Sequence, residues 1–74
     1  MDVDGILAKM TAKYHNYPVN TIDGVKIDFD KEWVHLRKSN TEPIIRIYAE
    51  SKTAKEAGRL AEKIMEEIKA VSGR

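Results

Sequence analysis

The chain has 74 residues, 42% of them hydrophobic and 34% charged, which allows one small domain over residues 1–74 with a thin core. Its net charge of +1 is too balanced to indicate a surface for polyanions, so any anion site must be local. Cysteine is absent, which excludes disulfides and thiolate metal sites, and no apolar run suits a membrane span or secretory signal, so we expect a cytoplasmic protein.

The first predicted element is a short amphipathic helix over about residues 3–14. Its apolar residues recur at helical spacing, and they are Val3, Ile6, Leu7, Met10 and Tyr14. Asp2 or Asp4 is expected to cap its start. Two acids at a chain terminus lack the six oxygen ligands that a divalent ion prefers, so we predict no metal site here.

Three segments of alternating polarity follow, over about residues 19–29, 33–37 and 44–50, and they predict an antiparallel sheet of three to four strands. The final helix is predicted over about residues 54–71. Thr53 and Glu56 form a capping box at its start. The order of elements indicates an α+β two-layer sandwich, with the N-terminal and C-terminal helices packed on one face of the sheet.

The pairing of the last two strands decides which side chains meet. Symmetric pairing about a loop over residues 38–43 predicts these opposite pairs: Arg37 with Ile44, His35 with Arg46, and Trp33 with Tyr48. Side-chain alternation then gives the sheet one apolar side, made of Val34, Leu36, Ile45, Ile47 and Ala49. We therefore expect both arginines to flank the loop on the open side.

The segment from Arg37 to Arg46 reads Arg-Lys-Ser-Asn-Thr-Glu-Pro-Ile-Ile-Arg and suits a phosphate group. Arginine offers a planar fork to phosphate oxygens, and serine and threonine offer hydroxyl donors. Asparagine tolerates a backbone that turns several N–H groups toward one anion. Solvated arginines beside an ordinary turn could have the same sequence, so the segment alone does not decide the function.

These ten residues resemble the phosphate-binding signature in the C-terminal domain of the alpha-D-phosphohexomutases, the phosphoglucomutase and phosphomannomutase family. That signature reads roughly Arg-Pro-Ser-Gly-Thr-Glu-Pro, followed by a strand with a second arginine. The flanking segments 23–29 and 47–51 are also similar, so the resemblance covers about residues 20 to 71. Lys38 stands where proline is common, and Asn40 stands where glycine is common.

The resemblance implies a role for each polar residue of the loop. The ligands of the substrate phosphate would be Arg37, Ser39, Asn40, Thr41 and Arg46. Glu42 and Lys38 would support the loop. In this family a phosphoserine exchanges a phosphoryl group with a hexose phosphate, and the C-terminal domain grips the phosphate that is not being transferred and closes the cleft.

Other parts of such an enzyme are missing from the sequence. It has no Ser-His-Asn-Pro-type nucleophile loop, no Asp-x-Asp-x-Asp magnesium loop and no Gly-Glu-x-Ser-Gly-type sugar-selecting loop. We therefore expect an excised C-terminal domain of a multidomain mutase, with no catalytic residue or cofactor of its own and with Mg²⁺ bound elsewhere in the parent. Its partners would be the hexose phosphate and the other domains.

Two alternatives remain open. A helix, three strands and a helix in about 70 residues is also the order of a double-stranded RNA-binding domain, for which the contacts would be Lys52, Lys55 and Arg59. The four glutamates on that helix and the low net charge weigh against it. A module without any ligand would make both loop arginines dispensable.

Overall fold

The computed structural model describes residues 2–39, 41 and 44–72, and it has a helix, four strands and a second helix. In chain order the elements are α1 (Val3–Lys13), β1 (Val19–Asn20), β2 (Val25–Asp28), β3 (Trp33–Lys38), β4 (Ile45–Glu50) and α2 (Ala54–Ser72). The strands form one antiparallel sheet in the order β1-β2-β3-β4. The predicted α+β two-layer sandwich is confirmed.

Both helices begin at polar caps that the sequence predicts. The Gly5 N–H donates to Asp2 Oδ1 over 3.0 Å at the start of α1. The Glu56 N–H donates to Thr53 Oγ1 over 3.1 Å at the start of α2. Each bond satisfies a backbone donor that has no partner within its helix, which explains why the predicted starts agree with the structure.

The core lies between the helices and one face of the sheet. Its fully buried side chains are Met10, Ile27, Val34, Leu36 and Ile64. Ile45, Ile47 and Ala49 are half-buried and pack against this cluster from β4. The apolar side predicted from alternation is therefore the side that the helices cover.

The predicted strand over residues 19–29 is interrupted by a turn. Residues 21–24 separate β1 from β2, so that Val19 pairs with Ile27 in antiparallel fashion. The Ile22 N–H donates to Asn20 Oδ1 over 2.9 Å, and Gly24 has a φ of +75°. Because Asp-Gly favours tight turns between strands, the pair Asp23-Gly24 was the signal for this turn.

The register of β3 and β4 differs from the predicted one by two residues. The observed pairs are Arg37 with Arg46, His35 with Tyr48, and Trp33 with Glu50. The loop keeps six residues, 39–44, but begins one position later, and the Ser39 N–H donates to the Ile44 carbonyl over 3.1 Å. A shift of two residues keeps every side chain on its face, so alternation could not detect it.

Candidate functional site

Two arginines lie side by side at the end of the β3–β4 hairpin. Arg37 and Arg46 are directly opposite partners, and both side chains are exposed on the face that the helices leave open. Like charges at opposite positions of neighbouring strands are destabilising. The pair therefore costs stability in the free protein and creates a local positive potential that an anion would neutralise.

The loop places two hydroxyl groups beside these guanidiniums. Ser39 Oγ and Thr41 Oγ1 are 3.4 Å apart, and Ser39 Oγ accepts the Thr41 N–H over 3.3 Å. This local bond bends the chain at the start of the loop. Asn40 and Glu42 lie outside the described residues, so the predictions for these two positions stay predictions.

Four of the five predicted ligands line one cavity of about 330 Å³, which is lined by Arg37, Lys38, Ser39, Thr41, Arg46 and Tyr48. Since one water occupies roughly 30 Å³ of liquid, the volume has room for a phosphate group and part of a sugar. Charge and hydroxyl donors thus converge on a space of suitable size.

Lys38 faces the other side of the sheet. Its Nζ lies 3.2 Å from Asp4 Oδ1 of α1, and both side chains are more than half exposed. An exposed pair of this kind contributes little to stability, but it joins the end of β3 to the first helix. The ammonium group of Lys38 is thus paired away from the two guanidiniums.

Three residues at this site were not among the predicted ligands. Asp23 Oδ2 lies 3.3 Å from an Nη of Arg37, and the Asp23 carbonyl lies 2.5 Å from His35 Nε2. Because a carbonyl only accepts, the His35 Nε2 carries the hydrogen in this bond. Tyr48 lines the cavity and faces His35, with the ring centroids 6.4 Å apart. The two-residue shift in register brings Tyr48 to this position.

The opposite end of the domain is aromatic. Tyr14, Tyr17 and Phe29 form a cluster in which the Tyr17 and Phe29 rings are 4.9 Å apart. Tyr14 OH donates to Glu67 Oε1 over 2.5 Å. Burial, the hydrogen bond to Glu67 and the charges nearby all raise the pKa of Tyr14. The neutral phenol therefore joins α1 to α2, which is a structural role.

The described part of the chain, residues 2–39, 41 and 44–72, has neither a metal-binding cluster nor a helix suited to cross a membrane. No group of three His, Asp or Glu side chains that could hold a metal ion lies among them. Neither helix in this part of the chain combines the length and apolar character needed to cross a bilayer.

The sequence model of the family described as "Phosphoglucomutase/phosphomannomutase, C-terminal domain" matches residues 1–67. The chain belongs to this family. The resemblance seen from the loop motif is thereby confirmed, and the match extends to α1, which the motif comparison did not cover. Membership in the phosphohexomutase C-terminal family gives the RNA-binding alternative no support.

Two relatives show how much of a whole mutase the chain represents. A phosphoglucomutase/phosphomannomutase of Thermococcus kodakarensis is 44% identical over 71 residues, which cover 89% of this chain and 16% of that protein. A phosphoglucosamine mutase of Methanocaldococcus jannaschii is 41% identical over 49 residues, which cover 66% of this chain and 11% of that protein. The chain thus spans less than a fifth of the length of these relatives.

Proposed function

We propose that the β3–β4 loop binds the phosphate group of a hexose phosphate within a larger phosphohexomutase. The proposed ligands are Arg37, Ser39, Asn40, Thr41 and Arg46, with Glu42 and Lys38 as supporting residues. The opposed pair of arginines carries this proposal. Like charges at these opposite positions disfavour each other in the free fold, and of the two arginines Asp23 pairs only with Arg37, whereas a dianion held between two guanidinium forks would turn the repulsion into attraction.

The chemical role is to hold a charge in position. The bound phosphate is the one that is not transferred, so no bond of it is made or broken at this loop. Fixing it orients the sugar toward the reacting groups and stabilises the charge of the substrate in the closed cleft. A set of rotatable donors also suits a site that accepts the phosphate in either orientation of the sugar.

The remaining chemistry belongs to other domains of the parent enzyme. We assign to them the phosphoserine, the Mg²⁺ and the choice of sugar, because the sequence shows none of the corresponding loops. The named relatives act as mutases of glucose, mannose or glucosamine phosphates, and we propose a substrate from this class. The proposed setting is the cytoplasm, and the isolated domain is proposed to be inactive as an isomerase.

Closure of the cleft follows from the same contact. A domain that grips the phosphate end of the substrate is drawn toward the domains that hold the sugar and the reacting phosphate. Loss of either arginine in the complete mutase should therefore lower kcat/KM by about 2–4 kcal/mol in transition-state terms. An unchanged kcat/KM in both variants would be incompatible with the proposed role.

A two-dimensional NMR titration of the chain with glucose 1-phosphate tests the binding site directly. We expect saturable shifts confined to residues 37–48, with an affinity of about 1 mM, or roughly −4 kcal/mol. Arg46→Ala should weaken the affinity at least about tenfold. Arg59→Ala removes an exposed arginine from α2 and serves as the matched control, with no expected change.

A short RNA duplex is the parallel ligand in this titration. Shifts centred on Lys52, Lys55 and Arg59 with RNA, together with none from the sugar phosphate, would overturn the proposal. Shifts at the loop that Arg46→Ala leaves unaltered would show that the phosphate is held by other groups.

A further inference from the structure

Arg37 already has an anionic partner within the fold. Asp23 Oδ2 lies 3.3 Å from an Nη of Arg37, and the two side chains are 69% and 48% exposed. Asp23 belongs to the turn between β1 and β2, whereas Arg37 lies at the end of β3. One of the two arginines proposed as phosphate ligands is therefore paired with a carboxylate from outside the binding loop.

The turn that carries Asp23 is held firmly against β3. His35 Nε2 donates to the Asp23 carbonyl over 2.5 Å, and the Ile22 N–H donates to Asn20 Oδ1. At Gly24 the backbone approaches β3 so closely that an added Cβ would lie 2.3 Å from the Leu36 carbonyl oxygen. These contacts fix where the carboxylate stands relative to Arg37.

Arg37 lines two cavities, and Asp23 lines only one of them. Asp23 lines a second cavity of about 430 Å³ between α1 and the turn, which Arg37 also lines. The cavity of about 330 Å³ at the loop is lined by Arg37 without Asp23. Arg37 thus lines both spaces, and its pairing with Asp23 competes with contacts to a ligand in the loop.

We propose that Asp23 is an internal competitor of the substrate phosphate for Arg37, and that it sets how readily a bound phosphate leaves. This inference rests on the proposed phosphate site. An ion pair that is half exposed contributes little to stability, so a dianion bound through both guanidiniums displaces it. The carboxylate remains nearby and repels the bound dianion, which lowers its affinity.

Such competition suits the reaction of the family. The bis-phosphorylated intermediate must turn around, so the loop has to release one phosphate and accept the other in each turnover. A site with the highest possible affinity for phosphate would slow this exchange. A carboxylate held next to one of the two arginines lowers the affinity of the loop for phosphate without removing a ligand.

Titration of the chain with inorganic phosphate at constant ionic strength tests the proposal. The signals to follow are the backbone amides of the loop and the Nε–H of Arg37. Asp23→Asn keeps the shape and a hydrogen-bonding oxygen but removes the charge, and we expect it to bind phosphate about two- to fivefold more tightly. Asp23→Ser, which also removes the charge, should shift the affinity in the same direction.

Asp28→Asn is the matched control. Asp28 lies at the far end of β2, pairs with Lys26 at 3.8 Å and is 45% exposed. Its substitution changes the net charge of the chain by the same amount, but the expected phosphate affinity is that of the unmodified protein.

The outcomes separate the two proposals. Tighter binding by both Asp23 variants, with no change in Asp28→Asn, supports the competition. Equal or weaker binding by Asp23→Asn overturns it while leaving the phosphate site intact, because weaker binding would show that Asp23 positions Arg37 for its ligand. Absence of phosphate shifts at residues 37–48 in the unmodified chain and in both Asp23 variants overturns the phosphate site and the competition together.

Discussion

The two faces of the β3–β4 hairpin are built from alternate residues of the same strands, yet their roles differ. On the covered face, Val34 and Leu36 are fully buried against the helices. On the open face, Arg37 and Arg46 repel each other across the strands. The covered face stabilises the fold, whereas the opposed arginines of the open face reduce its stability, so mutations should separate stability from ligand binding.

The largest expected effect comes from the core between the covered face and the helices. Ile64 of α2 is 0% exposed, and Ile64→Ala should lower the free energy of unfolding by about 2–5 kcal/mol through lost burial and a cavity. That is a large share of the stability of a domain this small. Urea denaturation followed by circular dichroism measures the change.

Met65 supplies the control, because it is the next residue of the same helix and is 44% exposed. Met65→Ala should change the free energy of unfolding by less than about 1 kcal/mol. Similar losses in both variants would mean that α2 does not cover the sheet with the face described.

The next effect concerns Gly24. Both the stability of the sheet and the position of Asp23 beside Arg37 depend on its backbone conformation. Its φ of +75° and its closeness to the Leu36 carbonyl leave no room for a side chain. Gly24→Ala should lower the free energy of unfolding by about 2–4 kcal/mol and loosen the contact between Asp23 and Arg37. Thermal unfolding and the NMR signal of the Arg37 side chain report the two effects.

The same substitution in α2 should act in the opposite direction. An added Cβ at Gly58 meets nothing within 4 Å. Gly58→Ala should therefore raise the free energy of unfolding by about 0.5–1 kcal/mol, because alanine favours the helix. A Gly24→Ala variant as stable as the unmodified chain would contradict the close approach of the turn to β3.

The hydrogen bond of Tyr14 makes a smaller contribution to stability, on the side of the sheet where the helices pack. Tyr14→Phe removes the hydrogen bond to Glu67 and should cost about 1–2 kcal/mol in the free energy of unfolding. The pKa of Tyr14 is raised in the fold, first by burial and then by Glu67. Stability from the neutral phenol is thus fully present below the unfolded pKa of about 10, and it falls as the pH rises toward the higher folded value.

The difference in stability between the unmodified chain and Tyr14→Phe should accordingly narrow above about pH 10. Urea denaturation at several pH values measures this. Tyr17 is 45% exposed, so Tyr17→Phe should change the free energy of unfolding by no more than about 0.5 kcal/mol. A difference independent of pH would show that the phenol of Tyr14 is not held neutral by the fold.

The smallest expected effect is a gain on the open face. Arg46→Thr removes one of two opposed like charges and inserts a residue that favours strands, so the free energy of unfolding should rise by about 0.3–1 kcal/mol. Arg46→Lys keeps the charge and should leave the stability nearly unchanged. At saturating phosphate the unmodified chain should become more stable than Arg46→Thr, because phosphate stabilises only a chain that binds it. Differential scanning calorimetry with and without phosphate measures both.

Much of the fold could be predicted from local patterns in the sequence. The caps at Asp2 and Thr53 and the apolar stripes placed both helices within about one residue of their observed bounds. The turn at residues 21–24 was not predicted, although the alternation of polar and apolar residues breaks there: Ile22 is apolar where a polar residue is expected. Asp23-Gly24 is the signal that could have placed this turn.

The candidate site was predicted in part. Arg37, Ser39, Thr41 and Arg46 meet at one cavity, as the loop motif suggested. The contacts of Asp23 and His35 could not be predicted, because they join residues 12 to 14 positions apart across a turn whose geometry the sequence pattern did not show.

Side-chain alternation, helix periodicity and capping are local properties, and they determined both helices and the face that each residue of β3 and β4 occupies. The family was indicated by the resemblance of the loop motif at residues 37–46. The register of β3 against β4 is not local. Alternation has a period of two, so every register that differs by two residues buries the same face, and the loop conformation selects among them. Only the folded structure therefore decided that Arg37 stands opposite Arg46, that Tyr48 lines their cavity and that Asp23 reaches the first of the two arginines.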